Sequence, residues 1–316
     1  MTNALIGSTG FVGQNLLNQI EFDNFYNSKN IFEARNKKFE FMICSGAPGS
    51  MFIANREPER DKTSIDTLIK SLSNIEVDQM ILISTTAVYT KFDGEFNEAT
   101  KDLNPKNQYG KSRLFLEKFC EDTFPNCLII RLPALFGEGL KKNFLFDINN
   151  RLPRLLTQDL FKKIISVIDS DLESIIPEIY NFNTKTELYF FNEKTTFPER
   201  KLLKLTNILE ENKLSSIFFT NPNSSFQFYN LSNLWNDIQI CLANKIKKIN
   251  LVNEPLLAKK VFFSVEGTHM PENQASIHKE NIKTLYSDLW RSQNNYISSS
   301  QDVLKEIISF MKKNKK

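Results

Sequence analysis

A chain of 316 residues has room for one large domain or two of ordinary size. Apolar residues at 41% and charged residues at 24% are the usage of a globular protein and argue against a disordered one. The net charge of +3 is too small to point to nucleic acid, and the basic run KKNKK at Lys312–Lys316 reads as a solvated tail.

In chain order, the opening MTNALIGSTG enters a strand at Ala4–Ile6 with no cationic leader, so a signal peptide is not expected. A glycine turn follows, then a helix over Phe11–Ile20 and a short strand near Phe25–Asn27. Phe41–Cys44, Met80–Ser84 and Leu128–Leu132 are compact apolar runs that end in small or apolar residues. Between them, Ile65, Leu68, Ile69 and Leu72 share one helix face, as do Leu114, Leu116, Phe119 and Cys120. Strands that alternate with helices predict parallel pairing in an open α/β sheet. Burial on both faces explains why the runs are continuous rather than alternating.

After Asn150 the texture changes. Residues 151–225 are rich in Asn, Lys, Thr and Phe and contain no glycine, with a strand predicted at Leu188–Phe191. Order returns at Phe226–Ile246, a strand running into a helix, and at Lys248–Pro255, a late strand and turn. A last helix over Gln301–Met311 carries Val303, Ile307 and Phe310 on one face. No apolar stretch approaches the roughly 18 residues of a membrane span.

Four cysteines, Cys44, Cys120, Cys127 and Cys241, stand in no metal-binding spacing, and there are only two histidines, His269 and His278. A structural metal is therefore not expected. Dispersed thiols suit a reducing compartment, which makes a cytoplasmic location the expectation, and they read as small buried hydrophobes.

The glycine turn is GSTGFVG, with Gly7, Gly10 and Gly13 placed between the first strand and the first helix. Glycines there permit a tight turn, close approach of the backbone to a pyrophosphate, and close packing of helix on strand. The helix start adds free N–H groups and a partial positive charge. A dinucleotide site for NAD carries an acidic residue about 20 residues on. Here Asp23 comes too early and Glu33 too late, while Ser28 and Lys29 follow the second strand. A hydroxyl and an ammonium suit a 2′-phosphate, so the choice between NAD and NADP leans towards NADP.

With these motifs in order, the chain resembles the extended short-chain dehydrogenase/reductases of the NAD-dependent epimerase/dehydratase family, which act mostly on nucleotide sugars. The segment ILISTTAVY (Ile81–Tyr89) resembles that family's strand bearing a catalytic Ser or Thr, a role that falls on Thr85. FNEATKDLNPKNQYGKSRLFLE (Phe96–Glu117) resembles its acidic loop, Asn-Pro turn and catalytic helix, with Glu98, Pro105, Tyr109 and Glu117 in register. IIRLPALFGEG (Ile129–Gly139) resembles the strand and loop beside the nicotinamide, and FQFYNLSNLWNDI and INLVNEP resemble late elements. The likeness covers residues 1–150 and 226–310 and skips 151–225.

It implies a Rossmann-type doubly wound parallel sheet with a smaller, discontinuous substrate-binding subdomain. Residues 1–150 would form the NAD(P)-binding domain, 151–225 an inserted subdomain, and 226–316 the substrate-side segment and late Rossmann elements. It implies Gly7, Thr9, Gly10, Phe11, Val12, Gly13, Ser28, Lys29, Ser45, Gly46, Ala47, Arg113 and Pro133 for the cofactor. Thr85, Thr86, Tyr109 and Asn143 would face a nucleotide-sugar substrate, although Asn143 also reads as a helix-start residue. A homodimer is implied by analogy.

The chemistry explains the residue types. Oxidising a sugar alcohol removes a hydride and a proton, and a tyrosine with an ordinary pKa near 10 must be shifted down to take that proton near neutrality. A nearby cation favours the phenolate. Position 113 lies one helical turn beyond Tyr109, so Arg113 rather than Lys111 takes the place of the family's lysine. Thr63 appears at the place of a family asparagine, and Thr86 and Ala87 replace the acid pair of dehydratases. What remains is hydride transfer at one carbinol, in a 4-epimerase or a keto-sugar reductase. The alternative is a cofactor-binding sensor or scaffold of the same fold without turnover. Glu57, Glu59, Arg60 and Asp61 read as a solvated charge run, the two histidines as surface loop residues, and Trp235 and Trp290 as core or interface anchors.

Overall fold

The computed structural model describes residues 2–101, 103–194 and 196–314, so Lys315 and Lys316 of the basic tail lie outside the described residues. Two compact units divide the chain. The first takes in residues 1–140, 225–256 and 279–310, and the second residues 141–224, 257–278 and 311–316.

The first unit is built on β1 (Asn3–Ile6), α1 (Phe11–Leu17), β2 (Asn24–Tyr26), β3 (Lys38–Cys44), α2 (Met51–Arg56), α3 (Pro58–Leu72), β4 (Glu76–Thr85), α4 (Gln108–Thr123) and β5 (Cys127–Leu132). A further strand, Lys248–Asn250, pairs with β5. Together they form a six-stranded sheet in the order Lys248–Asn250, β5, β4, β3, β1, β2. Every pairing in it is parallel.

Alternate residues of these strands face opposite layers. Ala4, Met42, Met80, Leu82 and Ile129 pack with Ile65, Leu68 and Leu72 of α3 and with Leu116 and Cys120 of α4. Leu5, Ile43, Ile81, Ile83, Leu128 and Ile130 pack with Leu16 of α1 and with Leu234, Ile238 and Cys241 of the helix Leu234–Ala243. Both faces are thus covered, as the unbroken apolar runs require. All four cysteines are buried and free.

Local signals set the boundaries. Pro58 starts α3 with Glu59 and Asp61 in its first turn, where its fixed φ and their charge suit a helix start. Asn107 caps α4. α1 stops at Leu17, earlier than its apolar spacing suggests, and β2 lies one residue earlier than expected. β2 is the edge strand, and the passage from it to β3 holds a 3-10 turn at Ile31–Ala34.

The second unit has its own core. Strands Leu155–Thr157, Leu188–Phe191 and Tyr180–Asn183 form an antiparallel sheet in that order. Leu156 and Tyr180 pack there with Ile164 of the helix Gln158–Val167 and with Leu205 and Leu209 of the helix Glu199–Glu211. His269 is exposed and His278 partly buried. Among the described residues, no helix is long and apolar enough to cross a membrane.

Candidate active site

The sheet reverses direction of winding between β1 and β3, and ligands of open parallel sheets sit beyond the carboxyl ends at such a point. The turns that leave β1 and β3 meet there. Gly7 has a φ of +87°, and a Cβ on it would fall 2.5 Å from the Ser45 carbonyl oxygen. On Gly13 a Cβ would fall 2.1 Å from the Gly7 oxygen. Both positions therefore require glycine. The Gly7 and Ser8 amides donate to the Tyr26 carbonyl at 2.8 and 3.1 Å, tying the loop to β2. Thr9 and Gly10 are exposed, Phe11 and Val12 partly so, and no side chain caps the start of α1.

Ser28 and Lys29 are exposed beyond β2, in a turn where the Asn27 amide donates to Asn30 Oδ1 and the Lys29 amide to Asn27 Oδ1, both at 2.8 Å. Asp23 precedes β2 and accepts from the Asn3 amide at 2.9 Å, so it serves the opposite end of the strand.

β4 ends at Thr85, and a 3-10 turn follows at Thr86–Val88. Thr85 Oγ1 accepts from the Ala87 amide at 3.2 Å, and Thr85 is among the side chains that act on the Tyr109 phenol. Two asparagines hold the first turn of α4: Asn55 Oδ1 accepts from the Tyr109 amide at 3.0 Å and Asn107 Oδ1 from the Gly110 amide at 2.8 Å. Gly110 then does what no larger residue can. A Cβ there would stand 2.1 Å from the Ala87 oxygen and 2.7 Å from Pro105 Cβ, so α4 rests directly on the turn that follows Thr85.

Arg113 is buried one turn further on, and Lys111 is exposed. Its Nη1 donates to both Asp61 carboxylate oxygens, at 2.7 and 2.5 Å, and its Nη2 donates to the Pro48 carbonyl. The guanidinium lies over the Tyr109 ring, 4.0 Å from its centroid, and its Nε is buried without a partner. One side chain thereby joins the loop after β3, helix α3 and helix α4.

Withdrawal from water raises the Tyr109 phenol above its usual range. Arg113 pulls it down and Asp61 pushes it up, and neither reverses the effect of burial. Arg113 thus acts in the expected direction, but burial outweighs it and leaves the phenol raised. Asp61, read as part of a solvated run, is 4% exposed. Thr63 is exposed and its hydroxyl donates to the Glu59 carbonyl at 2.8 Å, so the polar group of α3 that meets α4 is Asp61 instead.

A second, wholly internal layer lies beneath. Ser84 Oγ donates to Glu117 Oε1 at 2.5 Å, and Arg131 Nη2 donates to Glu117 Oε2 at 2.6 Å. Arg131 Nη1 donates to the Tyr89 hydroxyl at 3.0 Å, and Asn250 Nδ2 donates to the same oxygen at 2.8 Å. Glu98 Oε1 accepts from the Asn250 amide at 2.7 Å. This ladder fixes α4 against β4 and β5.

Thr85, Tyr109 and Arg113 therefore come together, and the Ser45–Ala47 turn is drawn to them through Pro48. Thr86 is buried, and Pro133 is partly buried just beyond β5. Asn143 belongs to the second unit, where its Oδ1 accepts from the Leu145 and Phe146 amides and caps the helix Phe144–Asn149. Trp235 packs in the layer of Leu16, Leu234 and Ile238, and Trp290 Nε1 donates to Asp237 Oδ1 at 2.9 Å. Asp61, Asn55, Gly110 and Pro48 were not singled out by sequence. Only Gly110, beside Tyr109, carried a local signal.

Sheet order and the glycine turn together define a Rossmann-type doubly wound parallel unit. The family model for the RmlD substrate binding domain matches residues 54–159. Among solved structures, the dTDP-4-dehydrorhamnose reductase of Yersinia enterocolitica is similar at 13% identity with a TM-score of 0.58, over 98% of this chain and 100% of that one. The dTDP-4-dehydrorhamnose reductase of Bacillus anthracis, in complex with NADP, gives 13% and 0.60 over 99% of each chain. The UDP-glucose 4-epimerase of Thermotoga maritima, with UDP-glucose, gives 12% and 0.59 over 100% of each. No curated protein matches the chain.

Proposed function

We propose that this protein is an NAD(P)-dependent oxidoreductase or isomerase that acts on a nucleotide sugar by hydride transfer at a single carbinol. The observation that carries this reading is Tyr109, stacked under the Arg113 guanidinium on a helix that rests on the turn after Thr85, at the carboxyl edge of a parallel sheet whose first turn is GSTGFVG. The glycine loop suits a pyrophosphate, since its backbone is bare of side chains where Gly7 and Gly13 approach their neighbours. The Ser45–Ala47 turn and Pro133 would border the cofactor, and exposed Ser28 and Lys29 beyond β2 favour a 2′-phosphate. A bound nicotinamide supplies or accepts the hydride.

The protein's own residues do the rest. Thr85 holds the substrate oxygen beside the phenol, and Tyr109 passes a proton to or from that oxygen. The structures similar to this chain include both dTDP-4-dehydrorhamnose reductases and a UDP-glucose 4-epimerase, which supports keto-sugar reduction and 4-epimerisation alike. The protein would be assayed with NADP(H) and NAD(H) against dTDP- and UDP-sugars, following absorbance for reduction and product identity for epimerisation. Tyr109→Phe is expected to abolish turnover while leaving cofactor binding in place. Unchanged turnover in that variant would remove the assigned role.

One observation favours a second reading, a cofactor-binding protein without turnover. Both terminal nitrogens of Arg113 are already engaged, by Asp61 and Pro48. Cofactor binding with no conversion of any nucleotide sugar would decide for it.

A further inference from the structure

The carboxylate against Arg113 is more than a charge balance for a buried cation. Asp61 reaches it from α3, a different element from the one that carries Tyr109, and is itself buried. Both of its oxygens receive the same nitrogen, Nη1, whose guanidinium lies flat over the phenol ring. Arginine cannot release its proton to relieve burial, so its charge at this position is either neutralised by a partner or felt in full by its neighbours. Asp61 and Arg113 are also the charged groups that act on the phenol. The other elements packed there offer neutral groups: the Thr85 hydroxyl at the end of β4, the Asn55 carboxamide of α2, and the Pro48 carbonyl after β3.

We propose that Asp61 is a positioning residue of this site, which clamps Arg113 against the Tyr109 ring and cancels most of its field there. The acidity of the phenol is then set by the Asp61–Arg113 pair as a unit and not by the arginine alone. This rests on Tyr109 as the proton-transferring group only for its consequence in catalysis; the electrostatic claim concerns the protein by itself. The direction is fixed by sign. Neutralising Asp61 leaves the guanidinium uncancelled beside the phenol and stabilises the phenolate, whereas neutralising Arg113 leaves a carboxylate there and destabilises it.

The test is an alkaline spectroscopic titration of the phenolate band in the free protein, read within seconds of a pH jump. In each background the Tyr109→Phe version is subtracted, which isolates this one tyrosine. Asp61→Asn keeps the shape and is expected to move the midpoint down by about one to two pH units, the scale of a unit charge several ångströms away at an effective dielectric near 20. Arg113→Gln should move it up, and the double variant should fall between the two. A midpoint that stays put or rises in folded Asp61→Asn overturns the proposal. Should Asp61→Asn not fold, Arg113→Gln and the double variant decide, since the double leaves no uncompensated charge: a midpoint lower in the double than in Arg113→Gln supports Asp61, and equal midpoints overturn it. Absence of turnover in the wild type would sink the proposed function and leave this result standing.

Discussion

Replacing Gly110 with alanine sets two effects of opposite sign against each other. In an exposed helix the change stabilises by about 1 kcal/mol, because alanine loses less backbone freedom than glycine. At this site the new Cβ would stand 2.1 Å from the Ala87 carbonyl oxygen and 2.7 Å from Pro105 Cβ. The first is a backbone atom in the turn after Thr85, which is held by the Ala87 amide on Thr85 Oγ1 and the Tyr89 amide on the Thr86 carbonyl, and it is unable to swing aside as a long side chain can. Overpacking of this kind costs about 1–3 kcal/mol, and a contact this short belongs at the upper end. The net is a loss of about 2 kcal/mol, which for a unit of this size lowers the melting temperature by roughly 4–8 °C. Thermal unfolding followed by circular dichroism reads it directly. The strain also moves α4 off the Thr86–Val88 turn, so Tyr109 should draw away from Thr85 and turnover should fall with stability. A melting temperature that rises by about 2–4 °C, as helix propensity alone would give, refutes the close-approach argument.

Glu117→Gln should cost about 3–5 kcal/mol in urea unfolding, because it leaves Arg131 buried with its charge uncancelled; a cost below about 1 kcal/mol would show that the ladder beneath the site is dispensable. Asp147, in the second unit, has its carboxyl pushed up to about 8 by burial, opposed by Arg151. The folded state then holds a proton that the unfolded chain gives up near pH 4, so this stabilisation is complete below that pH and is lost as pH rises through 8. Asp147→Asn should flatten the fall in melting temperature between pH 4 and 8, and an unaltered slope would reject the assignment. The four cysteines are buried, and burial pushes the Cys44 thiol up to about 11 and the Cys127 thiol up to about 12. A thiol reagent at pH 8 should label none of them in the native protein and all four in denaturant.

Much of the first unit was legible because parallel strands buried on both faces leave an unmistakable trace. The runs FMIC and MILIS could be strands only if both faces were covered, and α3 and α4 showed a matching apolar stripe. The glycine turn was legible for a similar reason, since close approach to Ser45 and to its own loop admits no other residue. Boundaries were less so. α1 ends at Leu17 although apolar spacing continues to Ile20; Leu17 and Ile20 pack in the same cluster as Leu16, and the Ile20 amide still donates to the Leu16 carbonyl beyond the assigned end. In the second unit only the strand Leu188–Phe191 stood out; its partners Leu155–Thr157 and Tyr180–Asn183 are too short and too mixed in polarity to show a period of their own.

The site separates along the same line. Tyr109, Gly110 and Arg113 share one helix, so their relation is a matter of spacing and can be read from five residues. Asp61 stands 52 positions from Arg113, and nothing local tells it apart from Glu57, Glu59 or Arg60. Its burial is decided by how α3 is rotated after Pro58, a tertiary choice driven by Ile65, Leu68 and Leu72 facing the sheet. Position 61 falls on the same side as Ile65 and Leu68, one turn and two turns on, and so turns inward with them. The chemistry of position 113 points the same way from the other side. A lysine could enter such a site and shed its proton, but an arginine remains charged and needs a planar acceptor at fixed distance. An arginine on the inner face of α4 therefore implies a buried carboxylate opposite it, and the inward-facing acid of α3 is Asp61. The apolar face of α3 and the permanent charge at 113 together identify a partner that neither segment reveals alone.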